Sequence, residues 1–240
     1  KDMLKFAHHN VYGSDQVRRR LVSFWTNHFT MGGFESRELS SHAMEEGILA
    51  SFDDSFSDML YKATTHPAML MYLDNHISAG PNSNHVRWAR SRNEQAGLND
   101  NLGRELLELH TVSPSANYTE DDIRDAAKVL AGWGMDVQGN DIQNLLEQAG
   151  TSNHWDIYKK NWAEPGSKVV LGKTIYQGKQ GLRQLTDFLA NHGHTINHLS
   201  FKLAEHFVSD VPKQSDVDYI ASAWRKNNGR LESIHTAVIE

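Results

Sequence analysis

The sequence has no cysteine and only five prolines in 240 residues. The absence of cysteine excludes disulfides, thiolate catalysis and zinc or iron–sulfur centres held by cysteine. No apolar run approaches the roughly 20 residues that a membrane-spanning helix needs, so we expect no membrane span in this chain. Basic residues are also few, with 24 Lys and Arg against 30 Asp and Glu, and the resulting net charge of −6 argues against a nucleic acid partner.

Histidine, in contrast, is abundant. Protonating all 14 histidines would change the formal charge from −6 to +8, so acidification is expected to invert the sign of the surface. The hydrophobic content of 39% is ordinary for a globular protein. We therefore expect one domain over residues 1–240, and the patterned sequence at both ends indicates a fragment of a longer chain.

Helical periodicity dominates. Apolar residues recur at spacings of four, three and four from Val17 to His28, which predicts an amphipathic helix capped by Ser14 or Asp15. A short β-branched run, 168–176, predicts a hairpin. The fold class is therefore mainly α, a multi-helix globular domain with a small irregular or β-hairpin insertion around 135–178. Further helices are predicted near 52–63, 67–73, 98–112, 119–131, 181–190, 195–208, 215–227 and from 231 onward.

Glu105 is a candidate acid/base group. It lies at the border of the leucine arc of its helix, with Glu108 beside it. Partial burial and a neighbouring carboxylate both raise a carboxyl pKa, and these conditions suit proton transfer or cation binding. The structural alternative is an ion pair between Arg104 and Glu108, with Glu105 bridging to another helix.

His28 shares the apolar face of its helix. A histidine in this position is commonly a core residue whose ring nitrogens bind backbone or side-chain partners. The alternative is a metal ligand or a general base that points into a cleft.

His198, Lys202 and His206 form a polar stripe at intervals of four residues. His198 and His206 lie about 12 Å apart along a helix axis, so they cannot bind one ion. Thr195 is the expected N-cap, which places His194 outside the helix. The stripe is interpreted as solvated or interface-facing, or alternatively as an anion-binding surface.

Six segments, together with the His154 region and Leu171-Gly172, resemble one bacterial family across nearly the whole chain. The six segments are FWTNHF (24–29), HPAMLMYLDN (66–75), SAGPNS (78–83), LNDNLGRELLELHTV (98–112), YTEDDIRDAAKVLAGW (118–133) and HLSFKLAEHFVSDVP (198–212). The family is Domain of Unknown Function 1800. The resemblance implies a large, mostly helical bacterial protein, often exported, whose gene often lies beside one for a sulfatase-like protein, and it implies no established activity.

The resemblance implies that a set of residues is important but assigns no role to any of them. These residues are His28, His66, Asp74, Asn75, Asn101, Arg104, Glu105, Glu108, His110, His198 and His206. The chain departs from the family at two places. Asp100 stands where the family usually has Glu, and residues 113–117 replace a glycine-containing turn. We therefore expect a different loop shape after the Glu105 helix.

The leading prediction is a binding or assembly module for a cell-surface or polysaccharide-processing system, located in the periplasm or outside the cell. Its partner would be a polysaccharide or the sulfatase-like protein. The predicted binding residues are Asn75, Asn101, Arg104, His198 and His206, together with the stacking aromatics Trp155, Tyr158 and Trp162.

Two alternatives stay open. The first is a metal-assisted hydrolase with Glu105, Asp74 and His28 as catalytic residues. In that hypothesis His28, Glu105, Glu108 and His110 bind a divalent metal ion, and the three catalytic side chains must converge on one pocket. The second alternative is a purely structural helical scaffold.

Overall fold

A computed structural model describes residue 8 and residues 11–31, 48–134 and 157–240. Within these ranges it contains ten α-helices and one small two-stranded antiparallel sheet, so the predicted mainly α class is confirmed. None of the helices in these ranges is long and apolar enough to cross a membrane.

The helices differ little from the predicted ranges, apart from one addition, α4. They are α1 Gln16–His28, α2 Phe56–Thr65, α3 Pro67–Tyr72, α4 Asn84–Ser91, α5 Asn101–Glu108, α6 Glu120–Leu130, α7 Lys179–Ala190, α8 Gly193–Phe207, α9 Gln214–Lys226 and α10 Leu231–Ile239. Single turns of 3₁₀ helix lie at Leu49–Ser51, Asn75–Ile77 and Pro114–Ala116.

The predicted hairpin is confirmed. Strands β1 Lys168–Val170 and β2 Lys173–Ile175 pair antiparallel, with Lys168 opposite Ile175. Leu171 and Gly172 form the tight turn between them, with φ angles of 50° and 75°. Residues 135–156 of the predicted insertion lie outside the described ranges.

Side-chain caps set the starts of several helices. The Asp15 carboxylate accepts a hydrogen bond from the backbone N–H of Arg18 and so begins α1. Thr119 and Asp122 form a capping box that begins α6, as their spacing predicts.

The prediction that Thr195 is the N-cap of α8 is wrong. The helix begins at Gly193, and the side chain of His192 accepts a hydrogen bond from the backbone N–H of His194. Thr195 is fully buried in the first turn, so its side chain belongs to the core rather than to the helix end. His194 therefore lies inside the helix, four residues before His198.

One hydrophobic core joins the first and last described helices. Trp25, Trp133 and Trp224 are fully buried in it. Trp25 packs on Phe56 with ring centroids 5.4 Å apart, and Phe56 packs on Trp224 at 5.0 Å. Around this centre α2 packs on α7, α8 on α9 and α9 on α10.

A close helix crossing fixes the position of α5. A Cβ atom at Gly103 would lie 2.8 Å from the backbone nitrogen of Ala127, so only glycine lets α5 approach α6 this closely. This contact with α6 fixes the position of α5, the helix that carries Glu105.

Candidate functional site

Three segments that are far apart in the sequence meet where α1, α8 and the residues after α5 come together. His28 closes α1, and its Nε2 lies 3.2 Å from the backbone oxygen of His110. The Nζ of Lys202 on α8 lies 3.1 Å from His28 Nδ1. Because a carbonyl oxygen can only accept, Nε2 carries the hydrogen and Nδ1 accepts from Lys202. His28 is thus held as a neutral imidazole in one tautomer.

We call His28, His110, His198 and Lys202 the histidine–lysine cluster. Burial lowers the pKa of His28 well below its usual range and that of His110 to about 4, and the charge of Lys202 lowers both further. Burial, with a contribution from Lys202, also lowers the pKa of His198. The pKa of Lys202 is itself lowered by burial, against an opposing effect of Glu205. The cluster therefore joins one cation to imidazoles that stay neutral.

Polar groups in this cluster are incompletely paired. His110 is only 4% exposed, and its Nδ1 has no hydrogen-bond partner in the part of the chain that the structure describes. Its ring centroid lies 6.1 Å from that of His28. Within the same residues Lys202 forms no ion pair with a carboxylate, and its hydrogen bond goes to His28. Such unpaired groups are uncommon in protein interiors.

The polar stripe on α8 faces α1 of the same chain. His198 and Lys202 are half-buried, whereas His206 is exposed. The ring of His206 lies 5.4 Å from that of Phe24 on α1. The stripe is therefore partly covered by the rest of the chain, and His206 is its solvent-exposed member.

Glu105 has the surroundings that its position in the sequence predicts. It is half-buried, and its Oε2 is buried with no hydrogen-bond partner among the described residues. Burial raises its pKa and Glu108 raises it further. Glu108 Oε2 in turn accepts a hydrogen bond of 3.2 Å from the Tyr118 hydroxyl.

The predicted ion pair between Arg104 and Glu108 is wrong. Arg104 binds Glu120 at 3.0 Å and Asp100 at 3.4 Å, because its side chain extends toward the start of α5 and the first turn of α6. Asp100 reaches Arg104 although it is one methylene shorter than the glutamate of the family pattern. Asn101 is exposed at the start of this helix.

Asp74 and Asn75 lie in the turn that follows α3. Asp74 is exposed and has a left-handed φ of 56°. The Asn75 side chain is buried, and its Nδ2 donates hydrogen bonds to the backbone oxygens of Leu130, at 3.2 Å, and Trp133, at 2.8 Å. Asn75 therefore secures the end of α6, which is a structural contribution.

Among the predicted catalytic and metal-binding side chains, the described ranges bring His28 next to His110 and Glu105 next to Glu108. No hydrogen bond or ion pair within the described ranges joins Asp74 to Glu105 or to His28. In those ranges no three His, Asp or Glu side chains form a group able to hold a metal ion. His28 and His110 are neighbours, but both ring nitrogens of His28 already have protein partners. The hydrolase hypothesis and its divalent metal ion therefore gain no support from this geometry.

A polar cleft of about 360 Å³ lies between α4, the loop over residues 157–165 and the start of α7. The carboxylate of Glu164 accepts hydrogen bonds from the backbone nitrogen of Asn82, at 2.9 Å, and from its Nδ2, at 2.6 Å. The cleft is lined by Asn82, Ser83, Asn84, Arg87, Tyr158, Lys160, Ala163, Glu164, Pro165, Gln177, Gly178 and Lys179.

The SAGPNS turn over residues 78–83 borders this cleft. The backbone N–H of Gly80 donates to the carbonyl of Trp162 at 2.8 Å. A Cβ at Gly80 would lie 2.5 Å from the Cα of Glu164, so a larger residue cannot be accommodated without movement of the loop. Gly80 thus lets two loops meet and form the cleft.

The binding hypothesis expects Tyr158 and Trp162 to be exposed for stacking, but both are half-buried. Tyr158 lines the cleft and packs on Trp133 at 5.4 Å. Trp162 stacks on His85, with centroids 3.9 Å apart and planes 9° apart. Trp88 also stacks on His85, at 6.0 Å, and it is 47% exposed.

Sequence reasoning missed several of these groups, and Trp155 lies outside the described ranges. His85 and Trp88 are three apart on α4, a helix that its polar sequence did not reveal. The Ser83 cap is the signal that could have indicated it, because its hydroxyl accepts from the backbone N–H of Val86.

Comparison with curated proteins and with solved structures finds no match to this chain. A family model does match, over residues 3–240, and this range contains all the segments that build the histidine–lysine cluster and the cleft. The chain therefore belongs to the family described as Protein of unknown function (DUF1800).

Proposed function

We propose that the chain is a binding module for an acidic polysaccharide in an exported bacterial system, with the cleft beside α4 as its binding site. The observation that carries this proposal is the chemistry of the lining. Asn84, Gln177 and Tyr158 offer polar groups suited to sugar hydroxyls, and Arg87 and Lys160 offer positive charge.

The charges in the cleft favour an anionic sugar over a neutral one. Glu164 is engaged by Asn82 through both carboxylate oxygens. Arg87 donates to Asn84 Oδ1 at 2.6 Å, and neither Arg87 nor Lys160 forms an ion pair in the part of the chain that is described. A guanidinium group binds carboxylate or sulfate groups through paired hydrogen bonds.

An exposed aromatic ring lies next to this basic region. Trp88 directly follows Arg87 on α4 and stacks on His85. Exposed aromatic rings bind the apolar faces of sugars, so Trp88 extends the surface available to a polymer. A sulfated glycan would also be a ligand that this chain could share with the sulfatase-like protein whose gene, as the family resemblance implies, often lies beside it.

Binding should be measured by calorimetry with heparin as a sulfated polymer, polygalacturonate as a carboxylated polymer and dextran as a neutral one. We expect binding of an acidic polymer that weakens at higher salt, because exposed charges are screened. The double variant Arg87→Gln with Lys160→Gln should bind at least tenfold more weakly.

Arg90→Gln is the matched control, because Arg90 is an exposed arginine of the same helix that does not line the cleft. It should bind as the wild type does. An equal loss in both variants, or the absence of binding to either acidic polymer, would contradict the proposal and favour the structural scaffold.

A further inference from the structure

We propose that the histidine–lysine cluster is a second site, one that binds a compact oxyanion such as sulfate, phosphate or a carboxylate. Lys202 would be its cationic contact and His110 a hydrogen-bond donor, while His28 positions Lys202. This site is separate from the cleft beside α4, since the two share no residue.

The first argument is the state of Lys202. Its ammonium group carries three hydrogens, and one of them is directed to His28 Nδ1 at 3.1 Å. Lys202 is half-buried and forms no ion pair with a carboxylate in the described ranges. Glu205 on the same helix is exposed. A partly desolvated cation without a counter-ion is costly, and an anion at Nζ would offset that cost.

The second argument is the unpaired imidazole of His110. This ring is 4% exposed, and Nδ1 has no hydrogen-bond partner in the described part of the chain. A neutral imidazole carries one N–H, and in the Nδ1–H tautomer this group can donate to an oxyanion. Binding would therefore pair a buried polar group that is otherwise left unsatisfied.

The third argument is the way in which His28 is fixed. Its Nε2–H donates to the His110 carbonyl at 3.2 Å, which leaves the Nδ1 lone pair facing Lys202. His28 thus ties the Lys202 ammonium to the segment that carries His110. Contacts from three elements, preorganised in this way, reduce the entropic cost of binding a small ligand.

The same geometry disfavours the binding of a metal cation at this cluster. The charge of Lys202 would repel a metal ion, and His28 has no free ring nitrogen to offer one. The rings of His28 and His110 meet edge to face, with centroids 6.1 Å apart, so the oxyanion would lie beside this ring pair, at Lys202 Nζ. The oxyanion could be free or could be the terminal group of a larger molecule.

The test is calorimetric titration of the whole chain with sodium sulfate, sodium phosphate and sodium acetate at constant ionic strength. Titration with N-acetylglucosamine 6-sulfate distinguishes a free ion from a sulfate group carried on a sugar. We expect saturable binding of at least one of these probes to the wild type, and at least tenfold weaker binding to Lys202→Met. Lys202→Arg, which keeps the cation, should restore part of the affinity.

Lys226→Met is the matched control, because Lys226 is an exposed lysine at the end of α9. It should bind like the wild type, as should the Arg87→Gln, Lys160→Gln double variant of the cleft. Sulfate and phosphate stabilise most proteins by exclusion from their surfaces, so a rise in Tm that Lys202→Met shares with the wild type does not support the site.

Three results would overturn the proposal. They are no saturable binding of any probe, equal binding by the wild type and Lys202→Met, and saturable binding of Zn²⁺ in place of the anions. If circular dichroism shows that Lys202→Met is unfolded, Lys202→Gln replaces it in the same titrations.

Discussion

His235 is a core residue whose neighbours keep it neutral. Its Nε2 accepts a hydrogen bond of 2.8 Å from Trp25 Nε1, so the ring hydrogen lies on Nδ1. Burial lowers the pKa of His235 to about 4; Arg18 lowers it further and Asp53 opposes this. Nothing in the local sequence around His235 indicates this contact, because the partner lies 210 residues away.

We expect His235 to make the fold sensitive to acid. Between the unfolded pKa of about 6.5 and a folded pKa of about 4, the unfolded chain binds the proton more tightly. The free energy of unfolding should therefore fall as pH falls from about 6.5 to 4. The contribution of His235 to this fall is roughly 3 kcal/mol, and the difference in urea unfolding between the wild type and His235→Gln across this pH range measures it.

His235→Gln keeps an acceptor for Trp25 but cannot titrate, so its stability should change less over the same range. His206→Gln removes an exposed histidine and should follow the wild type. If His235→Gln loses stability on acidification as steeply as the wild type does, the assigned effect of His235 is wrong.

Residue environments were predictable from the sequence when they depended on position within one helix. The apolar face of α1 predicts the burial of His28, and the border position of Glu105 predicts its raised pKa. Partners on other elements were not predictable. Helical spacing favoured Glu108 for Arg104, whereas the fold brings Glu120 within 3.0 Å.

At the scale of elements, the turn after α5 has an unusual backbone. Ser113 has φ 61° and ψ 167°, a conformation that is essentially restricted to glycine, and Asn117 has a left-handed φ of 52°. The hydroxyl of Ser113 accepts from the backbone N–H of Ser115 at 3.4 Å. The family resemblance implies a glycine-containing turn here, and this chain places serine in a backbone conformation suited to glycine.

We expect Gly80→Ala to disrupt the contact between the SAGPNS turn and the loop over residues 157–165. The new Cβ would lie 2.5 Å from the backbone of Glu164, so the loop must move. Overpacking of this kind costs about 1–3 kcal/mol, which the midpoint of denaturant unfolding can measure.

Gly97→Ala provides the control, because among the described residues, its own chain neighbours aside, no atom lies within 4 Å of a Cβ at that position. Its unfolding midpoint should remain close to that of the wild type. Equal midpoints for Gly80→Ala and the wild type would show that the loop accommodates the methyl group without cost.

Most elements were predictable because their apolar residues recur with a helical or a strand period. The hairpin over 168–176 and the helices from α5 onward follow this pattern. Helix α4 was missed because its sequence is largely polar, with Val86 and Ala89 as its buried residues. The start of α8 was misplaced because His192, a less common cap, precedes Thr195.

At the scale of the whole molecule, we expect one cooperative unfolding transition. In the described ranges the main core cluster extends from Leu21 on α1 to Val238 on α10, and it contains three buried tryptophans. Tryptophan fluorescence and far-UV circular dichroism should therefore report the same midpoint in urea. Two separate transitions would show that the expected single domain comprises two independently stable parts.

The charge of the molecule is less responsive to acid than the 14 histidines alone indicate. His28, His110 and His235 are buried, and burial lowers the pKa of each. The predicted inversion of charge counted all histidines equally. In the folded state these three take up protons only at lower pH, so the surface charge depends on the exposed histidines.

The hydrogen bond between Trp25 and His235 also has a consequence for synthesis on the ribosome. Because translation proceeds from the N-terminus, α1 leaves the ribosome long before α10 is made. Until α9 and α10 are made, Trp25 can pack on Phe56 but lacks the His235 acceptor for its Nε1–H, and Phe56 lacks its contact with Trp224. The core around Trp25 can therefore be completed only after nearly all of this sequence has been translated.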